Sequence, residues 1–145
     1  MDKQILMNGA KFINFLNKSP TAFHVVESSK QLLREAGFNE LKLSEPWKVT
    51  PLGKYFVTKN ESTLVAFSVG GKYENGNGFA VVGAHTDSPC LKMKLVSKKS
   101  KQGYLQVGVE CYGGGIWHTW FDRDLSVAGR VLVNQNSKYI KKGVA

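Results

Sequence analysis

A chain of 145 residues, 42% hydrophobic and 21% charged, is the size of one ordinary domain, with enough apolar residues to bury a core and no sign of disorder. The formal charge of +9 raises nucleic-acid binding, but Lys92, Lys94, Lys98, Lys99 and Lys101 crowd together with no interleaved arginine or aromatic residue and no recognition signature. The cluster reads instead as a lysine-rich hairpin or edge strand that resists aggregation; neither nucleic acid nor membrane is an expected partner, since no apolar stretch nears the roughly 18 residues of a span.

In chain order, Ile5, Leu6, Ala10, Ile13 and Leu16 recur at helical spacing until NKSP stops the pattern. The opening run is too short, and lacks a small-residue cleavage site, to read as a secretory signal. Ser19 followed by Pro20 predicts an N-cap with proline in the first turn of a second helix. Ala22, Val25, Val26, Ser29, Leu32, Leu33 and Ala36 share one face of that helix, and Gly37 predicts its stop. His24, near its start, reads as a packed or exposed helix residue rather than a metal ligand.

After Gly37 the period becomes that of strands. ELKLSEPW predicts a short strand broken at Pro46, and KYFVTK with STLVAFSVG predicts a hairpin turning at Asn60 and Glu61. The nearly all-apolar FAVVGAH, residues 79–85, predicts a central strand covered on both faces. YLQVGVECYGGG and LSVAGRVLVNQNSKYI add two strand-like segments, which makes the fold class α/β. Cys90 and Cys111 stand apart without a C-x-x-C pairing and predict reduced thiols in an intracellular chain, with a single bridge as the alternative.

His85 stands where the apolar run ends, and ligands of open α/β sheets collect beyond the carboxyl ends of strands. In an extended turn His85 and Asp87 would face the same side. A ligating histidine commonly has its orientation fixed by an outer carboxylate; on spacing alone the pair also fits a strand-capping histidine with Asp87 on turn amides. Ser88 lies too close in sequence to both for a serine triad, and Cys90 lacks a separate base. Further on, Gly113, Gly114 and Gly115 permit close backbone approach. Trp117, Trp120 and Phe121 then set aromatic area beside Asp122, Arg123 and Asp124, with His118 fitting a ligand, a substrate contact or a turn residue.

The stretches FLNKSPTAFHVVE, GFNELKLSEPW, KYFVTKNESTLVAFSVGG, GNGFAVVGAHTDSPCLK and QVGVECYGGGIWHTWFDRDLSVAGRVLV resemble the N-terminal part of the aspartyl aminopeptidases, metallopeptidase family M18. The resemblance covers nearly the whole chain, and GAHTDSPC with YGGGIWHTWFDRDL makes it highly specific. It implies that residues 1–91 are the N-terminal portion of a zinc-aminopeptidase-like α/β catalytic domain. Residues 92–145 would be the β-rich start of an inserted dimerisation domain.

The activity it implies is removal of N-terminal Asp or Glu from peptides at a two-metal zinc site. His85 would be a zinc ligand and Asp87 the catalytic-site carboxylate that orients it and tunes its basicity. The metals would polarise the scissile carbonyl and activate a water, with a glutamate as general base. The family's remaining ligands and its general base have no counterpart in these 145 residues, so the site is expected to be incomplete and this chain alone inactive. A cytoplasmic homo-oligomer is implied for the whole enzyme, and exposed strand edges predict self-association of this piece. The alternative is a non-catalytic binding or assembly module that retains the family's interface strands.

Overall fold

The computed structural model describes residues 2–135 and 138–144. Helix α1, Lys3–Asn17, is capped by the Asp2 carboxylate, which accepts from the Gln4 N–H at 2.9 Å. Its periodic apolar residues form the expected helix, yet none of them is buried.

Helix α2 spans Ala22–Glu35, and its N-cap is Thr21 in an extended conformation, not Ser19. The expected cap therefore falls two positions early, and Pro20 lies outside the helix. Thr21 holds the cap position by its extended backbone, with its hydroxyl on the His24 ring and not on a helix N–H, while Ser19 is drawn off to Ser28, their hydroxyl oxygens 3.1 Å apart. Gly37, at φ +80°, ends the helix as expected. The Phe38 N–H reaches the Leu33 carbonyl and the Gly37 N–H the Arg34 carbonyl, the paired bonds of a left-handed helix stop. Val26 is the one α2 residue fully buried among those described.

Strands β1, Asn39–Glu40, β2, Lys54–Lys59, and β3, Thr63–Ser68, form a sheet in that order, β1–β2 parallel and β2–β3 antiparallel. Tyr55, Phe56 and Val57 are consecutive and all buried, as expected of a middle strand covered on both faces. The β2–β3 connection passes through Asn60 and Glu61, both left-handed at φ 53° and 57°, as the sequence predicts. Of the strand expected in ELKLSEPW only Glu40 pairs, as the last residue of β1.

The run at residues 79–85 departs from expectation. It takes no strand pairing, and Phe79, Val81 and Val82 are 83%, 84% and 98% exposed. A strand is defined by its neighbours' hydrogen bonds, and no described segment offers them here. The central position in the sheet belongs to β2 instead.

Strand β4, Cys90–Lys101, pairs antiparallel with β5, Tyr104–Tyr112, through a register shift between Met93 and Lys98. This is the lysine-rich hairpin. A short 3-10 helix, Trp117–Asp122, follows. The last segment resolves into two strands, β6, Gly129–Gln135, and β7, Lys138–Val144. The expected continuous run crosses residues 136 and 137, which lie outside the described residues.

Two compact units result. The first comprises the described residues up to Thr86 together with those from Val127 onward; the second is Asp87–Ser126. Both cysteines are free, and the β4–β5 register gives a reason. Cys90 pairs with Tyr112 while Cys111 pairs with Leu91, so the two thiols occupy opposite faces of the hairpin.

Candidate active site

The apolar run delivers an exposed His85 to a bend at Thr86. The Thr86 hydroxyl donates to the Ser62 carbonyl at 2.8 Å, fastening this end of the first unit to the β2–β3 turn. Also in the first unit, the Arg130 guanidinium of β6 lies 4.0 Å from the centre of the Phe23 ring and donates to the Asn60 carbonyl at 2.8 Å. Glu61 stands 3.7 Å from both Arg130 and Lys141. Phe23, His24, Glu61, Arg130 and Lys141 line a cleft of about 310 Å³. The His24 Nδ1 is 2.8 Å from the Thr21 hydroxyl, so His24 serves the start of α2, as its position suggests.

Asp87 opens the second unit, half-buried. The Tyr112 hydroxyl donates to its Oδ2 at 2.6 Å, a length typical of a phenol on an ionised carboxylate. The register explains the meeting: Tyr112 ends β5 opposite Cys90, so it returns beside the chain that leads out of the turn. That bond to Asp87, and then the carboxylate's charge, hold the Tyr112 phenol above its ordinary value of 10.0. The Lys92 ammonium lies 3.4 Å from the centre of the Tyr112 ring. Lys92 pairs with Glu110, which makes it a diagonal neighbour of Tyr112 on the same face.

Gly113 follows at φ +80°, and a Cβ there would lie 3.2 Å from the Cβ and Cγ of Pro89. Both the left-handed backbone and the close approach require glycine. Trp117 and Trp120 pack on each other with ring centres 5.8 Å apart, and His118 is exposed on the same 3-10 helix.

Imidazole nitrogen and carboxylate oxygen are donor types that zinc accepts, and a catalytic zinc ordinarily takes three protein ligands. Among the described residues no three His, Cys, Asp or Glu side chains gather closely enough to hold a metal. The donor types that His85 and Asp87 carry fit zinc. The sequence reading missed Tyr112, although the residue stands in the quoted YGGG stretch. It also missed the Glu61, Arg130 and Lys141 cluster, whose members come from distant strands.

Comparison with known proteins decides the family. The sequence model described as aminopeptidase I zinc metalloprotease (M18) matches residues 15–145. The chain belongs to the M18 family.

Among curated M18 relatives, a probable aspartyl aminopeptidase of Ricinus communis is 59% identical over 123 residues, which is 85% of this chain and 25% of the relative. The aspartyl aminopeptidase of Aspergillus oryzae is 58% identical over 124 residues, 84% of this chain and 25% of the relative. The chain thus spans about a quarter of the length of the curated relatives it matches. Among solved structures, that of the Ape4 and Nbr1 complex superposes with a TM-score of 0.91 at 50% identity, covering 93% of this chain and 26% of that one. The mApe1 dodecamer of S. cerevisiae gives 0.82 at 33% identity, covering 92% and 32%. The M18 match begins at Phe15, inside α1, and runs through both the HTD turn and the YGGGIW stretch.

Proposed function

We propose that this chain is the N-terminal part of a zinc-dependent aspartyl aminopeptidase that removes Asp or Glu from the N-termini of peptides. What carries the reading is the 58–59% identity to aspartyl aminopeptidases over most of the chain. In this reading His85 supplies a zinc ligand, and Asp87 is the carboxylate that orients His85 and raises its basicity. When bound, zinc at such a site supplies Lewis-acid polarisation of the scissile carbonyl and activation of water. The chain's own contribution is to present His85 at the end of the apolar run and to hold a carboxylate two residues on. In the same reading residues 1–91 belong to the catalytic domain and 92–145 open the dimerisation domain. The complete enzyme is read as cytoplasmic and as a homo-oligomer, the second supported by the dodecameric state of the S. cerevisiae relative.

The test is hydrolysis of an N-terminal Asp peptide by a chain continued with the residues that the relatives carry beyond this match. Zinc-dependent turnover is expected there, with its loss in His85→Ala and no turnover by the 145 residues alone. Unimpaired activity in His85→Ala would remove His85 from the site. Failure of the continued chain on both Asp and Glu peptides would remove the activity itself.

A further inference from the structure

We propose that Tyr112 is a positioning residue of this enzyme, whose phenol fixes the carboxylate of Asp87. The inference rests on the reading of Asp87 as the carboxylate that supports His85, and it adds to that reading a contact from the far end of the β4–β5 hairpin.

Three features of the second unit hold the phenol where it is. The backbone of Tyr112 is paired with Cys90, three residues beyond Asp87. One face of its ring is covered by the Lys92 ammonium at 3.4 Å. Immediately after it, Gly113 turns into the left-handed region and brings its backbone against Pro89, which itself lies between Asp87 and Cys90. The ring is thus held from the partner strand, across one of its faces and by the residue after it. A hydroxyl delivered this way reaches Oδ2 at 2.6 Å without an entropy cost at the moment it is needed. A carboxylate gripped at one oxygen has its plane and its second oxygen aimed, which is what an orienting group requires of its own support.

The bland reading of the same bond is a clasp that merely fastens the end of the hairpin. The two differ in what they predict. A clasp contributes to stability and leaves the working enzyme unchanged. A positioning residue alters how the enzyme works once folded, since loss of such an outer contact typically costs about 10–100-fold in metal affinity or activity.

The experiment uses the full-length zinc enzyme and compares Tyr112→Phe with Asp87→Asn. Each variant is read by kcat, KM and zinc dissociation in chelator competition, with thermal unfolding as a fold control. For Tyr112→Phe, kcat is expected to fall about tenfold with KM unchanged, and zinc to dissociate at least several-fold more readily. Asp87→Asn is expected to lose at least as much. If Asp87→Asn is impaired while Tyr112→Phe keeps wild-type kcat and zinc affinity, the role of Tyr112 is overturned and the reading of Asp87 survives. Should Asp87→Asn itself be fully active, the reading of Asp87 fails and this inference falls with it. A Tyr112→Phe enzyme that is less stable but has wild-type kcat per bound zinc shows the clasp alone and also overturns the proposal. If Tyr112→Phe fails to fold, Lys92→Ala, which frees one face of the ring, is read in its place; an unchanged kcat and zinc affinity there counts against positioning.

Discussion

Arg130 rests its guanidinium 4.0 Å from the centre of the Phe23 ring while donating to the Asn60 carbonyl, so one side chain from β6 joins the start of α2 to the β2–β3 turn. The same turn carries Glu61 in a left-handed conformation, which for a residue with a Cβ costs on the order of 1 kcal/mol or more. Arg130 and Lys141 flank its carboxylate and favour that placement. A double-mutant cycle of Phe23→Leu and Arg130→Gln should therefore return a coupling of about 0.5–1 kcal/mol, read by urea denaturation. Additive single changes would show that the stacked pair contributes nothing of its own.

Gly113 and Gly114 are neighbours with opposite tolerance. Gly113→Ala places a methyl against Pro89 and forces alanine to φ +80°, whereas a Cβ at Gly114 meets nothing within 4 Å. The first change is expected to destabilise by about 1–2 kcal/mol, and the second by a few tenths at most. Thermal unfolding of the two variants side by side distinguishes them. Equal shifts would mean that the Pro89 contact yields without cost.

The Tyr112 phenol has a folded-state pKa above its unfolded one, because its bond to Asp87 and the charge of that carboxylate favour the protonated form. The sign follows from linkage. The bond's contribution to stability is fully present below the unfolded value of 10.0 and is lost as pH rises through the higher folded value. Stability should therefore decline more steeply above pH 10 in the parent than in Tyr112→Phe, with the two curves running parallel at neutral pH. Denaturation across an alkaline pH series makes the comparison, and curves that stay parallel throughout would show that the bond does not form in solution.

Phe79, Val81 and Val82 are exposed side by side on a segment without strand partners among the described residues, and their apolar surface favours association. The 145-residue chain is expected to sediment as a concentration-dependent oligomer, and Val81→Lys with Val82→Asp to shift it toward monomer. Unchanged sedimentation in the double variant would move the contact elsewhere.

What could be read from the sequence were features settled within a few residues of themselves. Gly37 ends α2 and Asn60 opens the hairpin turn because each tolerates a left-handed backbone, whereas Glu61 adopts it at a cost. The N-cap slipped from Ser19 to Thr21 because Ser and Thr are both favoured at that position, and Ser19 is engaged by Ser28. FAVVGAH reads as a buried strand because composition records the cover a segment is made for, whereas strand geometry needs neighbours to be present. The HTD turn was found by its motif. Tyr112 was not, because its meeting with Asp87 depends on a register reached after the irregularity between Met93 and Lys98, and no periodicity reports that.

The first unit is discontinuous in sequence, since the second is complete within Asp87–Ser126. That order has a consequence in time. During synthesis the β2–β3 turn, whose Glu61 is left-handed in the folded chain, emerges while Arg130 and Lys141 have yet to be made. At roughly 5–20 residues per second the ribosome needs on the order of seconds to supply them. The β4–β5 hairpin can close in microseconds on that scale. Strands β6 and β7 thus join the first unit only after the hairpin has had time to close, and until then Glu61 stands without the two cations that flank it.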